Sequence, residues 1–294
     1  MTAGQYKLIS YSRSIKYYAK NCLAMIWSIC KIENKNRVKI PILCYHSVNN
    51  SYNDEVDPIN SEMFDKHLEF LASNYNVITL HEALKHIKVG YCDVDNPVVL
   101  TFDDGYIDNF EIAFPMLKKY KIPATIFVVT NFLNKSIDLV DDPAFGPLDW
   151  KQLVEMQSSG LISIGAHTVS HNILSGLTLS QAEQEIVESK AAIQNHINLS
   201  VDLFAYPNGQ LSDFQRDLGN TLVQNKFICA CSTMWRTTHK VSECWRLNRV
   251  MITGSDDLSV LSAKVSGHFD YIYFIHLARH YFKKLILAKK FINV

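Results

Sequence analysis

Short apolar runs alternate with amphipathic stretches along most of the chain. Eight runs have the length and the β-branched and aromatic content of buried strands: residues 41–46, 76–80, 97–102, 124–129, 161–166, 202–207, 226–231 and 245–252. Between most of them the apolar residues recur at helical spacing, as in residues 61–75 and in residues 178–197, where we expect Ser180 to cap the helix. Strands that alternate with helices indicate a parallel α/β sheet.

The order of these elements bounds the architecture. Eight strands with intervening helices, and no repeat or low-complexity linker, indicate either one closed barrel or one doubly wound sheet. We predict the barrel, because polar residues follow the ends of many different strands. The predicted organisation is a central domain at residues 38–270, a basic and apolar helical segment at residues 1–37, and a basic amphipathic helix at residues 271–294.

The charge of the chain is unevenly distributed, although its sum is zero. Residues 1–40 carry eight Lys or Arg and one acid, and residues 271–294 carry five and none, which leaves residues 41–270 at net −12. No nucleic-acid recognition motif accompanies the basic ends, so we exclude a nucleic-acid partner. Their composition predicts peripheral association with an anionic membrane. The alternative is that both ends pack on the barrel with their lysines in water.

Cysteine usage and the N-terminal segment predict the compartment. Seven cysteines without a C-x-x-C spacing indicate neither a disulfide framework nor a structural zinc site, and they fit a reducing environment. The longest apolar run near the N-terminus, residues 22–30, is too short for a membrane span, and no convincing cleavage site follows it. We therefore predict a cytoplasmic protein without a cleavable signal peptide, and an interfacial anchor at the inner face of the membrane stays open.

Two adjacent carboxylates follow the apolar run 97–102. Residues just beyond the carboxyl ends of buried parallel strands are where α/β proteins place their chemistry, so Asp103 and Asp104 are candidate site residues. His167 and His171 follow the run 161–166 in the same way. A second histidine pair at the same spacing, 276 and 280, lies on the basic C-terminal helix, where we expect a solvated face.

Two imidazoles and one carboxylate suit a divalent metal. A His₂Asp set leaves positions on the ion open, which is the layout of a hydrolytic site where water and a substrate oxygen bind. The side chains of adjacent residues diverge, so the second carboxylate need not bind the ion. It can instead act as a general base toward the water.

The motifs TFDDGY (101–106) and HTVSH (167–171) resemble those of the polysaccharide deacetylases, the NodB-homology carbohydrate esterases. The resemblance covers about residues 38–270. It implies a distorted (β/α) barrel, a divalent metal that is most often Zn²⁺, and hydrolysis of N-acetyl groups on the amino sugars of a polysaccharide or glycan precursor. It further implies that Asp103 is the base and that Asp104, His167 and His171 are the metal ligands.

The stretch CYHSV (44–48) resembles the start of the domain in the poly-N-acetylglucosamine deacetylase branch, and this implies that His46 is the general acid. FAYPNG (204–209) stands where many relatives have Arg-x-Pro-Tyr, and the arginine position holds Ala205. We expect Asn208, through its backbone N–H, and Tyr206 to contact the substrate or its oxyanion. With that arginine replaced, Arg246 or Arg249 is predicted to orient Asp103.

Two other functions fit the same residues. The site could hydrolyse O-acetyl esters of carbohydrates, or the protein could bind carbohydrate without catalysis. A binding protein without catalysis is disfavoured, because every predicted ligand and both acid–base candidates are present. The sequence leaves open whether the glycan is a polymer, a lipid-linked oligosaccharide or a nucleotide sugar.

Overall fold

The computed structural model describes residues 37–214 and 218–292. Its centre is an eight-stranded sheet in which every pairing is parallel. Seven strands follow one another in the spatial order β10-β2-β4-β5-β6-β7-β8, and β3 pairs with the start of β4. The strands are β1 (Val38–Lys39), β2 (Ile42–Tyr45), β3 (Asn76–Val77), β4 (Pro97–Phe102), β5 (Ala124–Val128), β6 (Ile162–Ala166), β7 (Leu203–Ala205), β8 (Cys229–Cys231), β9 (Thr238–His239) and β10 (Val250–Met251). Strands β1 and β9 form a separate antiparallel ribbon.

The sheet is covered on both faces, which explains the unbroken apolar runs in the sequence. Nearly every residue of β2, β4 and β5 is buried. Alternate residues of a strand enter different clusters: Leu100 and Phe102 pack with helix residues such as Phe64, whereas Val99 packs with residues of other strands such as Phe127. The sheet therefore has one face toward the helices and one toward the inside of the curl.

The curled sheet brings its two edges together. Leu247, in the segment that leads into β10, donates its N–H to the Ala230 carbonyl and accepts from the Ser232 N–H, each at 2.8 Å. The predicted distorted (β/α) barrel is confirmed. Each predicted strand contributes to the sheet, but the run 245–252 was predicted too long, because Val241–Arg246 form a 3₁₀ helix and only Val250–Met251 pair.

The helices surround the sheet. They are α1 (Ser61–Asn74), α2 (Leu80–Val89), α3 (Phe114–Tyr120), α4 (Thr130–Leu133), α5 (Trp150–Ser158), α6 (Leu179–Ile197), α7 (Leu218–Gln224), α8 (Leu258–Ser266) and α9 (Tyr271–Ile292), and a π-helical turn at Asn109–Ala113 precedes α3. The predicted cap of α6 is wrong. Thr178 is the cap, because its hydroxyl accepts the Gln181 N–H while the Gln181 side chain accepts the Thr178 N–H, and Ser180 lies within the first turn.

The C-terminal helix was predicted at residues 271–294 and is present as α9. No helix in the described ranges has the length and apolar character needed to cross a bilayer. The N-terminal segment predicted at residues 1–37 lies outside the described residues except for Arg37, which forms an ion pair with Glu243.

Candidate active site

The carboxyl ends of four parallel strands meet at one rim of the barrel. His46 follows β2, Asp103 and Asp104 follow β4, His167 follows β6, and the loop after β7 carries Asn208. These side chains line one open cleft of about 490 Å³, which we call the catalytic cleft. Residues that are far apart in the sequence meet in this way, because parallel strands all end at the same edge of the sheet.

Asp104, His167 and His171, here called the ligand set, converge on one point. Asp104 Oδ1 lies 3.5 Å from His167 Nε2 and 3.4 Å from His171 Nε2. His167 Nδ1 lies 2.8 Å from the Ala205 carbonyl, to which it must donate its proton, so its Nε2 presents a lone pair. Burial lowers the pKa of His167 to about 4, which keeps this ring neutral.

The ligand set fits a divalent cation. Asp104 Oδ1 is buried and has no hydrogen-bond partner among the described residues, although two imidazole nitrogens lie beside it. Acceptor atoms that face one another in a buried site are unfavourable unless a cation lies between them. Two imidazoles and a carboxylate are also the donors that Zn²⁺ prefers, and the set leaves further positions on such an ion open.

The backbone around the ligand set is held in uncommon conformations. Asp104, Thr168, His171 and Asn208 have positive φ angles of 75°, 70°, 56° and 58°. Such conformations are costly for residues other than glycine, and they persist only where the surrounding structure enforces them. Glu185 of α6 anchors the turn between Thr168 and His171, since its Oε2 accepts the N–H groups of Val169 and Ser170 at 2.8 and 2.9 Å.

Asp103 has different partners from its neighbour. Arg249 donates to both of its oxygens, Nη1 to Oδ1 at 2.7 Å and Nη2 to Oδ2 at 2.6 Å, and Arg249 is itself fully buried. Burial alone would raise the pKa of Asp103, but the charge of Arg249 and its two hydrogen bonds hold this pKa well below its usual range. Asp103 is therefore an ionised carboxylate in a fixed orientation.

Of the two arginines predicted to orient Asp103, only Arg249 does so. Its Nε also donates to the Ser232 carbonyl at 3.0 Å, which fixes the guanidinium plane. The prediction for Arg246 is wrong, because this residue lies at the exposed end of the 3₁₀ helix Val241–Arg246.

His46 lies beside Asp103 at the end of β2. One of its ring nitrogens is within 4.8 Å of an Asp103 oxygen and of the Cys44 sulfur, and Cys44 Sγ is 3.4 Å from Asp103 Oδ2. The loop that carries His46 is fixed by the turn after β4: Asn109 Nδ2 donates to the His46 carbonyl at 2.8 Å, and Asp108 accepts from the Ser47 hydroxyl at 2.5 Å.

The sequence interpretation missed three of these supporting residues: Cys44, Asp108 and Asn109. A signal for the last two was present, because two polar residues, five and six positions after Asp103, interrupt the connection between an apolar strand and an apolar helix. Cys44 gave no such signal, since a cysteine in a buried strand is usually a packing residue.

The two residues of the FAYPNG stretch are placed differently. Asn208 lines the catalytic cleft, its side chain donates to Asp213 Oδ2 at 2.6 Å, and among the described residues no group accepts its backbone N–H. The prediction that Tyr206 contacts substrate is wrong. Its hydroxyl donates to the Trp245 carbonyl at 3.1 Å, its N–H donates to the Cys231 carbonyl at 3.0 Å, and its ring is buried against Phe214.

Comparison with known proteins relates this geometry to a family. Residues 91–223 match the family model for polysaccharide deacetylase. Over 183 residues the chain is 32% identical to YxkH of Bacillus subtilis, whose name assigns it to the polysaccharide deacetylases, and the match covers 62% of this chain and 61% of that protein. Poly-beta-1,6-N-acetyl-D-glucosamine N-deacetylase of Staphylococcus aureus is 28% identical over 168 residues, 53% of this chain and 55% of the relative. The chain thus matches less than two thirds of the length of either relative.

Solved structures share the fold. The deacetylase PplD of Streptococcus pyogenes, solved in complex with acetate, superposes with a TM-score of 0.69 at 25% identity, over 78% of this chain and 99% of that one. IcaB of Ammonifex degensii superposes with a TM-score of 0.66 at 23% identity, over 79% and 97%. The chain therefore contains a polysaccharide deacetylase domain, which the family model matches at residues 91–223 and whose fold these solved structures share.

Proposed function

We propose that the protein is a metal-dependent hydrolase that removes N-acetyl groups from the amino sugars of a polysaccharide or glycan precursor. The observation that carries the proposal is the pairing of Asp103 with Arg249 directly beside the ligand set, within one open cleft. A fixed, ionised carboxylate next to three converging metal ligands suits hydrolysis of an amide. Relatives named as polysaccharide and poly-beta-1,6-N-acetyl-D-glucosamine deacetylases support the same reading.

Asp104, His167 and His171 would hold the divalent cation, for which Zn²⁺ is the best match to two nitrogen donors and one oxygen donor. When bound, such an ion polarises the acetamide carbonyl and makes water more acidic. His167 is held for this task by its bond to the Ala205 carbonyl, which fixes both the ring and its tautomer.

The other residues of the catalytic cleft move protons and stabilise the oxyanion. Asp103 accepts the proton of the attacking water, and Arg249 keeps both of its oxygens in place during the transfer. The backbone N–H of Asn208 is available to stabilise the oxyanion. His46, which lies beside Asp103 in the cleft wall, donates a proton to the leaving amine nitrogen.

An acetate-release assay tests the proposal. We expect acetate from an oligomer of β-1,6-linked N-acetylglucosamine in the presence of Zn²⁺, and loss of that release in the Asp103→Asn variant. A glycan that carries O-acetyl groups but no N-acetyl groups should release less acetate. Release from the O-acetyl substrate alone would replace the proposal with the esterase alternative, and release from neither class would favour a binding protein without catalysis.

The role of His46 gives a second, more specific test. His46→Ala should slow N-deacetylation by about 10²–10⁴, the usual contribution of general-acid catalysis. An ester with a good leaving group should be slowed far less, because the leaving alkoxide of low basicity needs no proton. Equal losses on the two substrates would contradict the acid role and would leave His46 as a structural residue.

A further inference from the structure

A second cavity lies next to the catalytic cleft, between helix α9 and the loop after β7. It measures about 370 Å³ and is lined by Gln210, Leu211, Ser212, His276, Arg279, His280 and Phe282. We call it the α9 cavity. The expectation of a solvated face for His276 and His280 is therefore wrong, because both side chains are half-buried in the wall of this cavity.

The α9 cavity adjoins the catalytic cleft through one residue, Gln210, which lines both. The position of Gln210 is fixed: its Nε2 lies 2.7 Å from Thr233 Oγ1, and its N–H donates to Asp213 Oδ2 at 2.9 Å. A ligand that extends from the ligand set past Asn208 therefore reaches the α9 cavity at Gln210.

The chemistry of the α9 cavity differs from that of the acidic cleft. Residues 276, 279 and 280 are three and four positions apart, so they share one helix face. Arg279 carries a permanent positive charge, and each imidazole offers an N–H donor. No carboxylate lines the α9 cavity within the described part of the chain. The nearby Asp213 is turned into its own loop, where it accepts from Asn208, Gln210 and Ser212.

We propose that the α9 cavity binds a phosphate group carried by the same glycan whose acetamide occupies the catalytic cleft. The inference rests on the proposed function and adds a substrate class to it, a phosphorylated N-acetylated glycan. Three side chains with N–H donors on one face suit the three terminal oxygens of a phosphate monoester better than the two of a carboxylate. The exposed ring of Phe282 supplies an apolar surface for the adjoining sugar ring.

Steady-state kinetics on two matched substrates test the proposal. One is a neutral N-acetylglucosamine oligosaccharide, and the other is the same oligosaccharide with a phosphate monoester at its reducing end. Arg279→Gln should raise the KM for the phosphorylated substrate about tenfold more than the KM for the neutral one, the scale of a lost hydrogen bond between charged groups. Arg246→Gln is the matched control, since Arg246 is exposed and lines neither cavity, and it should leave the ratio of the two KM values unchanged.

Binding measurements separate this inference from the proposed function. In the Asp103→Asn background, the phosphorylated oligosaccharide should bind more tightly than the neutral one, and Arg279→Gln should remove the difference. If both substrates are deacetylated and Arg279→Gln changes their KM values equally, the inference is overturned while the proposed function stands. If Arg279→Gln instead weakens binding to phosphatidylglycerol vesicles and leaves the KM ratio unchanged, the cavity takes a lipid phosphate and the assignment to the glycan is overturned.

Discussion

Asp103 and Asp104 are adjacent in the sequence, yet their side chains have separate partners. Asp103 forms the buried pair with Arg249, while Asp104 faces His167 and His171. The left-handed backbone of Asp104 is the local reason, because it turns this carboxylate away from the direction taken by its neighbour. At the scale of single residues, the dipeptide therefore presents its two carboxylates to two different sets of partners.

This division predicts different effects on metal content. Asp104→Asn and His171→Ala should each lower the amount of bound Zn²⁺ at least tenfold together with activity, because each removes a ligand atom. Asp103→Asn should lose turnover while it keeps its metal. Elemental analysis of the purified variants after dialysis measures this difference. The assignment of base and ligand fails if Asp103→Asn loses metal as completely as Asp104→Asn does.

Arg249 should also matter for stability. Arg249→Met leaves the Asp103 carboxylate buried without its charge partner, which typically costs about 3–5 kcal/mol. Without Arg249, burial raises the pKa of Asp103, so a proton taken up at low pH relieves the cost. The loss in unfolding free energy should therefore be larger at pH 8 than at pH 5.

Urea unfolding of metal-depleted protein measures the effect of Arg249→Met. Arg246→Met is the control, because substitution of an exposed residue usually changes stability by less than about 0.5 kcal/mol. The double variant Asp103→Asn/Arg249→Met should recover part of the loss. A double variant as unstable as Arg249→Met alone would show that the uncompensated carboxylate is not the cause.

At the scale of elements, His67 joins three parts of the barrel. This buried residue of α1 accepts from the Tyr45 hydroxyl at the end of β2, with Nδ1 3.2 Å from the oxygen, and its Nε2 donates to the Asp256 carbonyl before α8 at 3.0 Å. The contact with Tyr45 requires the neutral ring, because Nδ1 must keep a lone pair to accept the hydroxyl proton. Burial lowers the pKa of His67 to about 4, although the contact with Asp256 opposes this shift.

The lowered pKa of His67 predicts an acid-sensitive junction. The unfolded chain binds a proton at His67 below about pH 6.5, whereas the folded protein does so only near pH 4, so stability falls as the pH decreases between these values. The full loss is roughly 3 kcal/mol. His67→Gln should therefore show a smaller decrease in unfolding free energy between pH 7 and pH 5 than the unsubstituted protein. His196→Gln is the control, because His196 is exposed. If His67→Gln leaves the pH dependence of the unfolding free energy unchanged, the prediction is contradicted.

At the scale of the whole molecule, charge is segregated along the chain. Residues 41–270 have a net charge of −12, and the 24 residues from 271 onward have five basic residues and no acid. Helix α9 also exposes Phe274 and Tyr281, with 46% and 56% of their surface accessible. A basic helix with exposed aromatic rings suits the interface of an anionic membrane.

We predict that the full chain binds anionic vesicles at low salt and is released at high salt. Each basic residue near such a surface contributes about 1 kcal/mol, and the contribution is screened by salt. Replacement of the four lysines at 283, 284, 289 and 290 by glutamine should abolish most of the binding. Co-sedimentation measures it, with neutral vesicles as the control. Protein that stays in the supernatant with both vesicle types would favour terminal helices that pack on the barrel.

The sequence by itself determined the elements and the position of the site. The apolar runs predicted every strand of the eight-stranded sheet, because burial on both faces requires unbroken apolar residues. TFDDGY and HTVSH, each at the carboxyl end of such a run, then predicted that Asp104, His167 and His171 would meet. Both features depend only on short stretches of chain and on a rule of parallel sheets, so local pattern was sufficient.

Only the tertiary structure decided which distant side chains complete the site. Arg249 reaches Asp103 across 146 residues, while Arg246, three positions earlier, remains exposed. Tyr206 points into the core, and the histidines of α9 line a cavity. Sequence could not separate these cases, because the direction of a side chain depends on where the curled sheet closes and on how α9 packs. The packing of the whole barrel sets those features, and the local spacing of apolar residues in the sequence does not determine them.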